Sequence, residues 1–290
     1  MSNILITGAN GQLGSEIREQ SKDFSILKFI FTDIQELDIT DSLKLKNFFN
    51  SNEIKYIVNC AAYTAVDKAE TDKKNAEKIN VIAVSNLIKF ATNFRIKFIH
   101  ISTDYVFDGN ANTPYTESAK TNPKSVYGLT KLKGETEVLR YSQSVIIRTS
   151  WLYSSFGNNF VKTMLKLGTD REEIGVVYDQ IGCPTYARVL ANVILQIISN
   201  TEKKTDAFKP GIYHFANNGV CSWYDFAIEI MKLSNLKCEV HPIETKDFPT
   251  PAKRPAYSVL NKSKIVQTFN IEIPYWRDSL EYCMNLLKNK

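Results

Sequence analysis

Ile4-Leu5-Ile6-Thr7-Gly8-Ala9-Asn10-Gly11-Gln12-Leu13-Gly14 stands almost at the start of the chain, and its reading decides the rest. The short apolar run Asn3–Thr7 breaks at a glycine, and three glycines spaced G-x-x-G-x-x-G lead into a helical pattern. Glycines let the backbone turn tightly and approach a pyrophosphate, while the helix N-terminus offers free N–H groups and a positive dipole end. Strand, glycine turn and helix in that order predict a dinucleotide cradle at Gly8, Asn10, Gly11, Gln12 and Leu13.

Outward from the cradle the same grammar repeats. Ile26–Thr32, Tyr56–Ala61, Phe98–Ser102 and Val145–Arg148 read as buried strands, with helical periodicity over Asp72–Phe94 and Ser125–Tyr141 between them. Such alternation implies an α/β fold: a Rossmann-type doubly wound parallel sheet with helices on both faces. The second strand ends at Thr32-Asp33, where a carboxylate can accept hydrogen bonds from the adenosine ribose. Asp38 and Ile39 are expected beside the adenine, and Cys60, Ala61, Ala62 and Tyr63 along the cofactor from the third strand end. After about Trp151 the pattern loosens and prolines multiply. Residues 1–150 are therefore expected to bind NAD(P), and 151–290 to form mainly a smaller substrate-binding lobe. Ile174–Tyr178 and Gly211–Phe215 are expected to rejoin the sheet.

Composition closes off other classes. The 290 residues are 43% hydrophobic and 23% charged, as in an ordinary folded domain. No stretch approaches the roughly 18 apolar residues of a membrane span, and the N-terminus lacks a secretory pattern, so a cytoplasmic location is expected. The formal charge of +5 is modest and forms no basic block, which argues against nucleic acid and suits a small anionic substrate. Five scattered cysteines with no C-x-x-C pair argue against a disulfide framework and against a structural zinc. They are expected to be buried free thiols.

Tyr127-Gly128-Leu129-Thr130-Lys131 puts a tyrosine and a lysine on one face of a helix. An ammonium nearby stabilises phenolate and is expected to lower the tyrosine pKa from about 10. Tyr127 can then protonate a ketone oxygen while hydride reaches the carbon, and Lys131 can also hold the nicotinamide ribose. At the end of strand four, Ser102-Thr103-Asp104-Tyr105 supplies a hydroxyl for the same oxygen. Thr103 is the first choice and Ser102 the second.

These residues, in this order, resemble those of the dTDP-4-dehydrorhamnose reductases, extended members of the short-chain dehydrogenase superfamily, which use this glycine spacing. The likeness spans nearly the whole chain through Cys60–Asp67, Ser102–Gly109, Tyr127–Lys131 with Gly134-Glu135, Arg148–Tyr153, Asp179–Thr185, and Arg254-Pro255 with Ser258 and Leu260. It implies NAD(P)H-dependent reduction of the C4 ketone of dTDP-4-dehydro-β-L-rhamnose, the last step of activated rhamnose synthesis for polysaccharides. NADH is expected as cofactor, with NADPH also accepted. Thr103, Tyr127 and Lys131 would be catalytic, and Thr103, Asp104, Val106, Tyr127, Trp151, Tyr153 and Arg254 would meet the sugar nucleotide. Some members dimerise around magnesium through carboxylates. Here Arg188 stands where one of these is expected, so no metal site is assigned and a monomer or a homodimer without magnesium is expected. Related dehydratases carry a glutamate base where Tyr105 stands, which ranks dehydration below reduction. The alternatives kept are a reductase of another dTDP-4-keto-6-deoxysugar and a non-catalytic subunit of the methionine adenosyltransferase β type.

Overall fold

In the computed structural model, which describes residues 2–288, six strands form one sheet. They are β1 (Ser2–Thr7), β2 (Leu27–Thr32), β3 (Tyr56–Asn59), β4 (Lys97–Thr103), β5 (Ser144–Thr149) and β6 (Gly211–Phe215). Their order is β6-β5-β4-β3-β1-β2, and every pairing is parallel. The covering helices are α1 (Gln12–Gln20), α2 (Ser42–Ser51), α3 (Ala83–Phe94), α4 (Val126–Val138) and α5 (Ala187–Lys203).

Because successive strand side chains point to opposite faces, each strand feeds two cores. Ile4, Ile6, Val58 and Ile147 meet Leu13 and Ile17 of α1 and Leu190 and Ile194 of α5. Leu5, Ile57, Phe98 and Ile146 meet Leu45 and Phe49 of α2 and Leu87 and Phe90 of α3. Each fully buried aliphatic side chain contributes roughly 1.5–3 kcal/mol, so the sheet is the firm base on which the loops at its C-terminal rim stand. Among the described residues no helix is long and apolar enough to cross a membrane.

Two expectations need correction. The segment Asp72–Phe94 is not one uniform helix: a π turn, Lys78–Ile82, separates Lys73–Glu77 from α3. Ile174–Tyr178 does not rejoin the sheet. The strand Glu173–Val177 pairs in parallel with Glu239–Ile243 in a separate two-stranded unit. The reason lies in its pattern. Glu173 and Gly175 are exposed while Ile174 and Val176 are buried, whereas β3 and β5 are buried along their whole length. A half-exposed strand suits a small outer ribbon, not the middle of a covered sheet. That ribbon belongs to a third core, built from Val161, Ile174, Phe226, Ile230, Trp276 and Leu280 of the second half. The second half also gives α5 and β6 to the sheet.

Candidate active site

A cavity of about 720 Å³ opens at the C-terminal rim, where β2 and β3 lie on opposite sides of β1. Open α/β sheets bind ligands where the strand order reverses in this way. One end is walled by Gly8, Gly11, Gln12 and Leu13, with Asp33, Asp38 and Ile39 after β2 and Cys60, Ala61 and Ala62 after β3. Gly8 has φ +63, and a Cβ there would lie 2.6 Å from the Ala61 backbone, so turn and strand end touch through main chain alone. Gly11 begins α1 without any side-chain cap, leaving the first helical N–H groups free for an anion. This cradle fits a dinucleotide pyrophosphate.

Asn10 is not on the wall; its backbone N–H donates to Asp33 Oδ2 at 3.0 Å, and Ile34 N–H donates to Oδ1 at 2.8 Å. Asp33 thus ties the turn to the end of β2. Glu36 accepts the Asp33 N–H at 2.8 Å and adds a second carboxylate at that edge. Tyr63 is also off the wall, with its phenol donating to Asp72 at 3.1 Å. Its backbone is pinned by buried Asn80 of the π turn, which accepts from Tyr63 N–H at 2.9 Å and donates to its carbonyl at 3.2 Å. The sequence reading missed Asn80. An asparagine inside an apolar helical stretch was the available signal, since π turns recur at functional sites.

The reactive wall is built by α4. Ser125 caps it by accepting from Gly128 N–H at 3.1 Å, and a Cβ on Gly128 would fall 2.2 Å from the Tyr105 carbonyl oxygen. Glycine therefore lets the helix press onto the turn after β4, which sets Tyr127 beside Tyr105 with ring centroids 5.5 Å apart. Tyr127 and Lys131 line the cavity. Burial raises the Tyr127 pKa, a hydrogen bond from Thr103 opposes the rise, and the charges of Asp104 and Tyr105 add to it. The expected lowering by Lys131 does not occur in the protein by itself. The Lys131 ammonium donates instead to the Ile101 carbonyl at 2.6 Å. Burial pulls Lys131 down to about 8, against Glu135 and Cys60. Cys60 is pushed up to about 12 by burial, which makes it a wall thiol and not a nucleophile.

Thr103 is buried and donates to Asp104 Oδ1 at 2.9 Å. Ser102 lies on the wall, but its hydroxyl donates to Glu135. That carboxylate also takes two bonds from Arg148, at 2.9 and 2.7 Å. The hydroxyl at 102 is therefore occupied by an ion-paired carboxylate, and that of Thr103, which like Asp104 is off the wall, by Asp104 alone. Burial pushes the Asp104 carboxyl up to about 7 against its hydrogen bond from Thr103.

At the far end Trp151 lines the cavity in a left-handed backbone conformation, φ 48. Its indole stacks on Trp223 at 3.5 Å. Val106 and Tyr153 are elsewhere: Val106 is buried against Phe107, Tyr115 and Leu260, and Tyr153 packs with Tyr186 and Phe226. Arg254 is off the wall but donates to the hydroxyl of Tyr105, which is on it, at 3.1 Å, and pairs with Asp67. Asp67 and Trp223 had no individual signal in the sequence, because each acts through a partner far along the chain.

Glu16 is fully buried; Ser154 donates to it at 2.6 Å and Arg188 lies 3.5 Å away. A guanidinium against this carboxylate does not fit a magnesium site, which needs oxygen ligands around the ion.

With this geometry in place, the comparisons are specific. A family model described as the RmlD substrate binding domain matches residues 1–289. The dTDP-4-dehydrorhamnose reductase of Aggregatibacter actinomycetemcomitans is 42% identical over 97% of this chain and 98% of its own. A crystal structure of a dTDP-4-dehydrorhamnose reductase from Clostridium acetobutylicum superposes with TM-score 0.93 at 46% identity, covering 99% of both chains. The Bacillus anthracis reductase, solved in complex with NADP, gives TM-score 0.92 at 38% identity over 99% of this chain and 100% of its own.

Proposed function

The chain belongs to the dTDP-4-dehydrorhamnose reductase family, and on that premise we propose which of its residues carry the reaction. It is an NAD(P)H-dependent oxidoreductase that converts dTDP-4-dehydro-β-L-rhamnose to dTDP-L-rhamnose. NAD(P)H, when bound, supplies the hydride that reaches C4 of the sugar. The Gly8–Leu13 turn, Asp33, Asp38, Ile39 and the Cys60–Tyr63 segment hold the cofactor, and NADH is used at least as well as NADPH.

Tyr127 is the proton donor to the ketone oxygen. Its raised pKa keeps the phenol protonated at neutral pH, so a proton is always present to give. Thr103 steadies the phenolate left behind by turning to it the hydroxyl that here donates to Asp104. Lys131, one helical turn on, places positive charge on the same wall. Trp151 lines the sugar, and Asp104 and Arg254 complete its site with help from Tyr105. Residues 1–150 serve the cofactor and 151–290 mainly the substrate, although α5 and β6 return to the sheet. Five free thiols suit a reducing cytoplasm, and the protein acts as a monomer or as a homodimer not bridged by magnesium.

The observation that carries this reading is the common wall: Tyr127 and Lys131 line the same cavity as the glycine cradle. The test is oxidation of NADH or NADPH on addition of the 4-keto sugar nucleotide, with dTDP-L-rhamnose as product. Tight cofactor binding without turnover would instead indicate a non-catalytic subunit.

A further inference from the structure

A row of buried polar side chains crosses three neighbouring strands just below the rim. Thr7 on β1 is in register with Asn59 on β3, and Asn59 with His100 on β4. The row beneath it, Ile6, Val58 and Ile99, is wholly apolar. Thr7, Asn59 and His100 are all buried, and unpaired polar groups at such depth are costly. They are paired with one another: the Thr7 hydroxyl donates to Asn59 Oδ1 at 2.7 Å, and Asn59 Nδ2 lies 3.1 Å from His100 Nδ1. The row ends at Lys131, whose Nζ is 3.5 Å from His100 Nε2.

We infer that His100 is a positioning residue for the reductase: from inside the sheet its Nε2 accepts from the Lys131 ammonium and holds that charge at the cavity wall. This rests on the catalytic reading of Lys131 given above. An ammonium has donors only, so Nε2 must be the acceptor and the imidazole proton must sit on Nδ1. The Asn59 amide is therefore turned over from the pairing above, so that its oxygen accepts from Nδ1–H and its NH₂ donates to the Thr7 hydroxyl. The opposite amide orientation would face an Nε2–H toward the ammonium, two donors with nothing between them. Burial and the charge of Lys131 both hold His100 well below its ordinary pKa, so it stays a neutral acceptor.

Other groups face Lys131 as well. Tyr127 and Glu135 lie on its own helix and Cys60 at the end of β3; Glu135 is occupied by Arg148 of β5 and by Ser102. His100 and the Ile101 carbonyl are what the ammonium bonds. Loss of the imidazole acceptor leaves the buried charge less well supported. Lys131 then loses its proton at lower pH, and turnover should fail earlier on the alkaline side.

Two substitutions separate the two ends of the ring. His100→Asn keeps an amide near the Nδ1 position and cannot reach Lys131, whereas His100→Gln places an amide oxygen near Nε2. The kcat–pH profile of His100→Asn should have its alkaline limb moved down by about one pH unit, the size expected for losing one hydrogen bond to a charge. His100→Gln should restore the wild-type limb. Equal limbs in both variants would overturn the assignment. A second measurement needs neither turnover nor a folded variant: ¹⁵N shifts of the imidazoles in wild-type protein, which contains three histidines. A neutral Nδ1–H tautomer at His100 is expected, and Nε2–H would refute the inference. Wild-type protein that shows Nδ1–H but no ketone reduction would count against the functional reading and leave the hydrogen-bond row standing.

Discussion

At the cofactor end of the cavity the closest approach is main chain on main chain, Gly8 against Ala61, and both lie within a few residues of a strand end. At the sugar end the wall residue Tyr105 is held from behind by side chains from segments up to 187 residues apart, Arg254 with Asp67. The cofactor end needs backbone to approach backbone, which only a missing Cβ permits. The sugar end needs a few long side chains aimed by partners: Arg254 by Asp67, Trp151 by Trp223, Tyr105 by Arg254. The first should fail abruptly when any atom is added, and the second gradually as partners are removed.

Tyr127 stands where the two ends meet and should give the largest effect. Tyr127→Phe keeps the ring and removes the proton donor, so kcat should fall roughly 10²–10⁴-fold. Cofactor affinity, measured by NADH fluorescence, should hardly change. Near-normal turnover would mean that the proton comes from elsewhere. Next is Gly8→Ala, aimed at the cradle alone. Its methyl would sit 2.6 Å from the Ala61 backbone in a left-handed conformation, and no side chain is there to yield. Cofactor Kd should rise about 100-fold, equivalent to about 2.8 kcal/mol. Unchanged affinity would show that the cofactor is not held by this turn.

The same contrast explains what the sequence disclosed. Gly8, Asp33 and the Tyr127–Lys131 pair were legible because each acts within one strand–turn–helix step or one helical turn. The sheet itself was legible from β1 to β5, where apolar runs alternate with helices. Val106 and Tyr153, expected at the sugar through the family likeness, pack into the cores beside the cavity, because a position next to a wall residue does not set the direction in which a side chain packs. The Glu173–Val177 strand was misplaced because a short apolar run does not reveal its pairing partner. His100 and Trp223 passed unnoticed for the same reason: a bond across strands or between distant loops has no local pattern.

Arg254→Ala tests the sugar end. Charge-assisted bonds contribute about 1.5–3 kcal/mol, but this pair is partly exposed, with side chains 25% and 39% accessible. Solvent screening therefore favours the lower figure, and KM for the sugar nucleotide should rise about tenfold with cofactor Kd unchanged. A matching rise in cofactor Kd would show that the two ends are not independent, which would break the comparison.

The smallest effect is expected at Asp33, the one place in the cradle where a side chain decides. Its carboxylate is fixed by N–H groups of Asn10 and Ile34, so it cannot swing away from an arriving ribose. A 2′-phosphate placed beside it would meet like charge, worth on the order of 4 kcal/mol at ~4 Å and an effective dielectric of ~20. Solvent at this edge reduces that to a preference for NADH of about tenfold. Asp33→Ser should narrow the preference by less than that amount, because Glu36 remains beside the same backbone N–H. The measurement is kcat/KM for NADH and NADPH in both proteins. A wild type that strongly prefers NADPH would mean that the carboxylate serves only to join the turn to β2. The contrast with the sugar end would then rest on the Gly8–Ala61 approach and not on this side chain.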